Sequence, residues 1–195
     1  MTRSSSQHGS SAVNCIGQSA NANRRRSPQC PGGFILDAGV HYVAALRMLL
    51  AASGETISRV TAFTTLLEPN LAPKDTANAT FRLSNGRSGT FNFSYGTDFA
   101  TAFDIQVITD GGVVSIEDHC VKVVKDGESE DMEQVTTTRF PVDHSLGREI
   151  EVFAQGILKK TVEVRGSPQE ALEDLKVIEA ILRSGDEGGA VKIIS

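Results

Sequence analysis

Gly32-Gly33-Phe34-Ile35-Leu36-Asp37-Ala38-Gly39-Val40-His41, running on as Tyr42-Val43-Ala44-Ala45-Leu46-Arg47-Met48-Leu49-Leu50, is the stretch on which the reading of this chain turns. Its apolar spacing predicts a helix from about Leu36 to Ala52, stopped near Ser53-Gly54. Residues four apart share a helix face, so Asp37 and His41 stand side by side. A carboxylate beside an imidazole orients the ring, fixes its tautomer and favours its protonated form, which can build an acid/base site. The same spacing also fits a helix start in which Asp37 caps or complements the dipole and His41 is a partly buried core residue. Both alternatives are open on these residues alone.

Downstream of the helix, Thr56 to Leu67 reads as a strand, and Pro69, Asn70 and Pro73 then break the chain. From Asp75 to Leu83, Ala77, Ala79, Phe81 and Leu83 alternate with Thr76, Asn78, Thr80 and Arg82, the pattern of a half-buried strand. Asn85-Gly86 is a hairpin signal of type I′, and Ser88 to Tyr95 repeats the alternation through Phe91, Phe93 and Tyr95. Phe103 to Thr109, Val113 to Glu117, Cys120 to Val124 and an edge strand Gln134 to Phe140 follow. Two helices close the domain. Leu146, Ile150, Phe153 and Ile157 form the apolar stripe of the first. In the second, Ser167-Pro168-Gln169-Glu170 is a capping box, Ala171, Leu175, Ile178 and Leu182 are the buried stripe, and Ser184-Gly185 is the stop. Val191 to Ile194 is a short last strand. The expected fold is α+β: an open, mainly antiparallel sheet of about six strands with helices packed on one face. Its Thr/Asn face is either solvated or packed against another subunit.

Upstream, residues 1–31 are rich in Ser, Asn, Gln and Arg, with too few large apolar side chains to offset the entropy of ordering. They read as a disordered basic tail, and residues 32–195 as the folded domain. The tail holds four arginines and no acid, so the remainder carries 15 basic against 24 acidic side chains, a net −9. An acidic body argues against nucleic acid as a partner. No apolar run approaches the ~20 residues of a membrane span. Cys15, Cys30 and Cys120 are widely spaced, without metal-ligand spacing, and read as reduced thiols of a cytoplasmic protein.

Gly-Gly-x-x-x-Asp-x-Gly-x-His at the head of an apolar helix resembles the start of the C-terminal domain of the Gfo/Idh/MocA oxidoreductases. Arg148-Glu149-Ile150-Glu151-x-Phe153-Ala154 and the run Ser167 to Ser184 are similar to that domain's closing helices. The resemblance extends from about Gly32 to Ser195. It implies an α/β domain with an open sheet and a substrate pocket, beside an N-terminal Rossmann domain that binds NAD(P). It places Asp37 and His41 in the pocket, where the histidine commonly acts with a lysine from the Rossmann half. It also implies a homodimer through the open sheet face.

A dinucleotide site needs a glycine-rich turn between a strand and a helix. Gly32-Gly33 lack that spacing, Asp110-Gly111-Gly112 reads as a hairpin, and only 36 residues precede Asp37. The first lysine is Lys74, so the family lysine has no counterpart by motif. The expectation is therefore a truncated family member that needs no cofactor and no metal. It acts as a cyclase/isomerase-type catalyst on a small molecule, with His41 as acid/base and Asp37 orienting it. Tyr95, Asp98 and Arg139 are the candidate substrate-binding groups. Tyr42 faces another side of the helix from Asp37. The alternatives are the C-terminal half of an NAD(P)-dependent oxidoreductase served by a Rossmann partner or lost segment, and a non-catalytic dimerisation module.

Overall fold

A computed structural model describes residues 10–16, 32–97, 102–117, 119–126, 133–141 and 146–195. In chain order they form β1 (Ser10–Ile16), α1 (Gly33–Ala51), β2 (Ile57–Thr65), β3 (Thr76–Leu83), β4 (Ser88–Ser94), β5 (Ala102–Thr109), β6 (Gly112–Glu117), β7 (Cys120–Asp126), β8 (Glu133–Arg139), α2 (Leu146–Lys159), α3 (Pro168–Asp186) and β9 (Lys192–Ile193). The α+β class and the open, mainly antiparallel sheet are as expected. The sheet is larger, with nine strands in the order β8-β7-β6-β5-β1-β4-β3-β2-β9.

The largest departure is β1. It lies inside the segment expected to be a disordered tail, yet it is the central strand, parallel to β4 and antiparallel to β5. Composition misled here because a central strand gains its stability from two ladders of backbone hydrogen bonds, which a Ser- and Asn-rich sequence can supply as well as any other. Residues 1–9 and 17–31 lie outside the described residues.

α1 and α3 pack on one face of β2, β3 and β4. Ile35, Val43, Leu46 and Leu50 of α1 meet Val177, Ile178 and Ile181 of α3 over Val60, Ala79, Phe81, Phe91 and Phe93. Gly39 lets the layers close, since a Cβ there would sit 3.3 Å from Ile178 Cδ1 and 3.9 Å from Phe93 Cε2. By length and hydropathy α1 could also cross a bilayer, but its packing between sheet and α3 accounts for its apolar composition.

The helices are tied by side chains that local patterns did not show. Arg47 of α1 donates to Asp174, to the Glu170 carbonyl at 3.1 Å and to the Glu170 carboxylate at 2.9 Å. Burial alone would lower the Arg47 pKa, but the bonds and charges of Asp174 and Glu170 raise it. The capping box at α3 is therefore only half made. Ser167 Oγ accepts from Glu170 N at 3.3 Å, while the Glu170 carboxylate turns to Arg47. α3 also runs past Ser184-Gly185. Ser184 is fully buried and its Oγ accepts from Ala62 N at 2.8 Å, pinning the helix to β2.

The β3–β4 turn sits at Asn85-Gly86, with a conformation other than type I′. Gly86 takes φ +86° while Asn85 does not take a positive φ. Asn85 Oδ1 accepts from Arg87 N at 2.9 Å and its Nδ2 donates to Glu55 at 2.7 Å, which holds a three-residue loop with its bulge at glycine.

Asp75, fully buried ahead of β3, accepts from Leu67 N at 3.1 Å, Glu68 N at 2.7 Å and Thr76 Oγ1 at 2.9 Å. Its carbonyl accepts from Tyr95 N at 3.0 Å, so one residue ties the β2–β3 connection to the exit of β4. Asp75→Ala leaves those donors unpaired and should cost about 2–4 kcal/mol in urea unfolding, with Asp75→Asn intermediate. Removal of residues 1–16 deletes the central strand and is expected to abolish cooperative thermal unfolding monitored by circular dichroism.

Candidate functional site

α1 begins three residues earlier than expected, so Asp37 stands beyond the first turn and does not cap it. Asp37 and His41 lie one turn apart on the side of the helix away from the core, both exposed. His41 is therefore not a core histidine. On the adjoining flank of α1, Phe34 and Tyr42 close on Tyr95 at the end of β4. The Tyr95 ring lies 5.3 Å from that of Phe34 and 5.0 Å from that of Phe93. Tyr42 lies 5.8 Å from Phe93 and 5.7 Å from Phe103. The two tyrosine hydroxyls meet at 3.3 Å, half-buried. An exposed acid/base pair thus borders an aromatic patch topped by two hydroxyls, equipment for holding a small polar molecule and moving a proton.

Tyr42 was expected to face elsewhere, and it joins through Tyr95 rather than through Asp37. Nothing in the helical spacing points to that pairing, because the partner comes from a strand 53 residues on. Arg139 is not brought to this place. It pairs with Cys120, which pairs with Glu117, which pairs with Asp104. Directly opposed residues share a face, and Asp104 lies on the other side of the sheet from Phe103 and Ile105, which face α1. Asp98 and His144 lie outside the described residues. His119 is exposed beside a turn.

Neither Gly32-Gly33 nor Gly111-Gly112 is open to a dinucleotide. At Gly33 an added Cβ would meet Pro73 Cδ at 2.8 Å and the Lys74 carbonyl at 3.2 Å, so protein already fills the head of α1. At Gly112 it would meet the Val124 carbonyl at 2.0 Å inside the β5–β6 turn. Among the described residues no group of three or more His, Cys, Asp or Glu side chains could hold a metal ion. Two clefts lie away from Asp37 and His41, one between α3 and β9 and one between α1 and α3 around Arg47 and Glu173. Asp37 and His41 line neither cleft.

Known proteins share the family and the fold. The family model described as the oxidoreductase family C-terminal alpha/beta domain matches residues 9–193, β1 included. Dehydrogenase FPY6 of Fusarium mangiferae is 33% identical over 171 residues, which are 87% of this chain and 48% of that protein. An uncharacterized protein of Saccharomyces cerevisiae is 28% identical, over 85% of this chain and 49% of its own length. The chain thus spans about half the length of the curated relatives it matches. A crystal structure of an oxidoreductase from Thermotoga maritima superposes with TM-score 0.74 at 27% identity, covering 95% of this chain and 53% of that one. A levoglucosan dehydrogenase in complex with NADH gives TM-score 0.77 at 15% identity over 95% of this chain and 58% of that one. This chain belongs to the Gfo/Idh/MocA oxidoreductase family, of which it forms the C-terminal α/β domain.

Proposed function

We propose that this chain is the substrate-side half of an NAD(P)-dependent oxidoreductase and works with a dinucleotide-binding half, on the same polypeptide or another. The observation that carries this is the exposed Asp37/His41 pair, one turn apart on α1 and bordered by the Tyr42–Tyr95 hydroxyls. His41 exchanges the proton of a substrate hydroxyl, and Asp37 orients its ring. Tyr95 positions a second hydroxyl. The nicotinamide belongs to the other half, since Gly32-Gly33 and Gly111-Gly112 are packed against protein rather than open to a pyrophosphate.

The cofactor-free cyclase or isomerase expected from the sequence has no support from the relatives, which include a dehydrogenase, an oxidoreductase and a levoglucosan dehydrogenase. Levoglucosan dehydrogenase, and an aldose-aldose oxidoreductase from Caulobacter crescentus of like fold, make a sugar or polyol the substrate class to try first.

Calorimetry of the chain alone with NADH or NADPH up to millimolar should show no binding, and micromolar binding would remove the proposal. Joined to the half of dehydrogenase FPY6 that this chain does not cover, the chain should support NAD(P)-linked oxidation of a compound in a sugar and polyol panel. His41→Ala should then lower kcat by roughly 10²–10⁴-fold with the melting temperature unchanged. An equal rate in that variant rejects the role of His41.

A further inference from the structure

Of the seven asparagines in the chain, only Asn85 is followed by glycine. That pairing carries a reaction of its own. The Gly86 nitrogen, once deprotonated, can attack the side-chain carbonyl carbon of Asn85, and glycine has no Cβ to shield it. A bond forms between Gly86 N and Asn85 Cγ, the Cγ–Nδ2 bond breaks, and the amide leaves as ammonia with the proton that Gly86 gave up. Water then opens the cyclic imide at either carbonyl. The product is aspartate or isoaspartate, whose backbone runs through the side-chain carboxyl, and nothing is oxidised or reduced. Asn85 and Gly86 are both exposed, so solvent base and water reach them.

The fold engages both reacting groups elsewhere. Gly86 N donates to the Leu83 carbonyl at 3.0 Å. Asn85 Oδ1 accepts from Arg87 N at 2.9 Å, and Nδ2, the leaving group, donates to Glu55 Oε1 at 2.7 Å. The other oxygen of Glu55 accepts from Asn85 N at 3.1 Å and from Ser84 Oγ at 2.5 Å. Attack requires the amide to turn out of this grip, and a bond to an ionised acceptor is stronger than one between neutral groups. The Glu55 charge also disfavours a second negative charge on the neighbouring Gly86 nitrogen. Glu55 reaches the loop from the α1–β2 connection. That connection is joined to the loop a second time, by Ser84 N donating to the Thr56 carbonyl at 2.9 Å and Thr56 N to Ser84 Oγ at 3.2 Å. We propose that Asn85 is a site of spontaneous deamidation gated by Glu55, silent while the clamp is closed and irreversible once it has opened and reacted. The product cannot close the clamp again, because the Nδ2 donor is gone and a new carboxylate faces Glu55. The site lies past the opposite end of α1 from Asp37 and His41, so the modification acts on the joint between α1 and the hairpin rather than on the chemistry.

Incubation of the full chain at mildly alkaline pH tests this, with trypsin releasing Leu83–Arg87 and mass and elution following the conversion of amide to acid. The folded chain should react roughly tenfold or more slowly than a synthetic peptide spanning residues 80–90. Equal rates overturn the proposal. Glu55→Ala, with its circular dichroism spectrum unchanged, should recover most of that factor, and a rate equal to that of the unaltered chain rejects Glu55 as the gate. Ser84→Ala spares the Glu55–Asn85 bonds and should leave the rate unchanged. Equal acceleration in both variants means general loosening of the loop and also overturns the gate. Asn85→Asp makes one product directly and needs neither variant to fold. Its melting temperature should fall below that of the unaltered chain, and an unchanged value overturns the loss of the clamp.

Discussion

The sheet is continuous only because β1 stands between β4 and β5. Those two strands follow one another in the chain, yet they do not pair, and β1 supplies both the parallel partner of β4 and the antiparallel partner of β5. Without it the molecule has a helix-covered block, β9-β2-β3-β4, and a four-stranded wing, β5 to β8, each with an open edge. The contacts of β1 are also the most distant in sequence, with Val13 opposite Phe91 on one side and Ile105 on the other. Closing so long a loop to seat β1 carries an entropic cost.

What could be read in advance follows the range of the interactions involved. The alternation of Ala77, Ala79, Phe81 and Leu83 depends on a face and its immediate neighbours, and the strands and hairpin came out where that pattern put them. The helices α2 and α3 were equally legible, but not their buried faces: in α3 Ala171 and Leu175 are exposed, and Val177, Ile178 and Ile181 carry the packing instead, while the stripe of α2 is exposed. β1 was not, since Ser10 to Ile16 has little hydrophobic period and its order comes from strands some 80 residues away. Asp75 was missed for a related reason. A buried carboxylate that collects backbone amides has no periodic signature, and its role exists only once the β2–β3 connection has folded around it.

The site divides along the same line. Asp37 and His41 share a helix, so their spacing alone placed them together. The Tyr42–Tyr95 contact needed the packing of α1 on β4, and the separation of Arg139 needed the register of four strands. The capping box shows the principle at its smallest. Ser167 kept the local bond, while Glu170 gave up its local partner for Arg47 on another helix. Where a charged side chain has both a local and a distant choice, tertiary packing decides.

The hydroxyl contact at the site has an optical consequence. The chain contains two tyrosines and no tryptophan, and those two are the pair that touch across α1 and β4. The ultraviolet emission of the whole protein therefore originates in a single patch beside Asp37 and His41. A molecule settling there, or a slight loosening of α1 from the sheet, changes the entire signal, whereas events in the β6–β8 wing leave it dark.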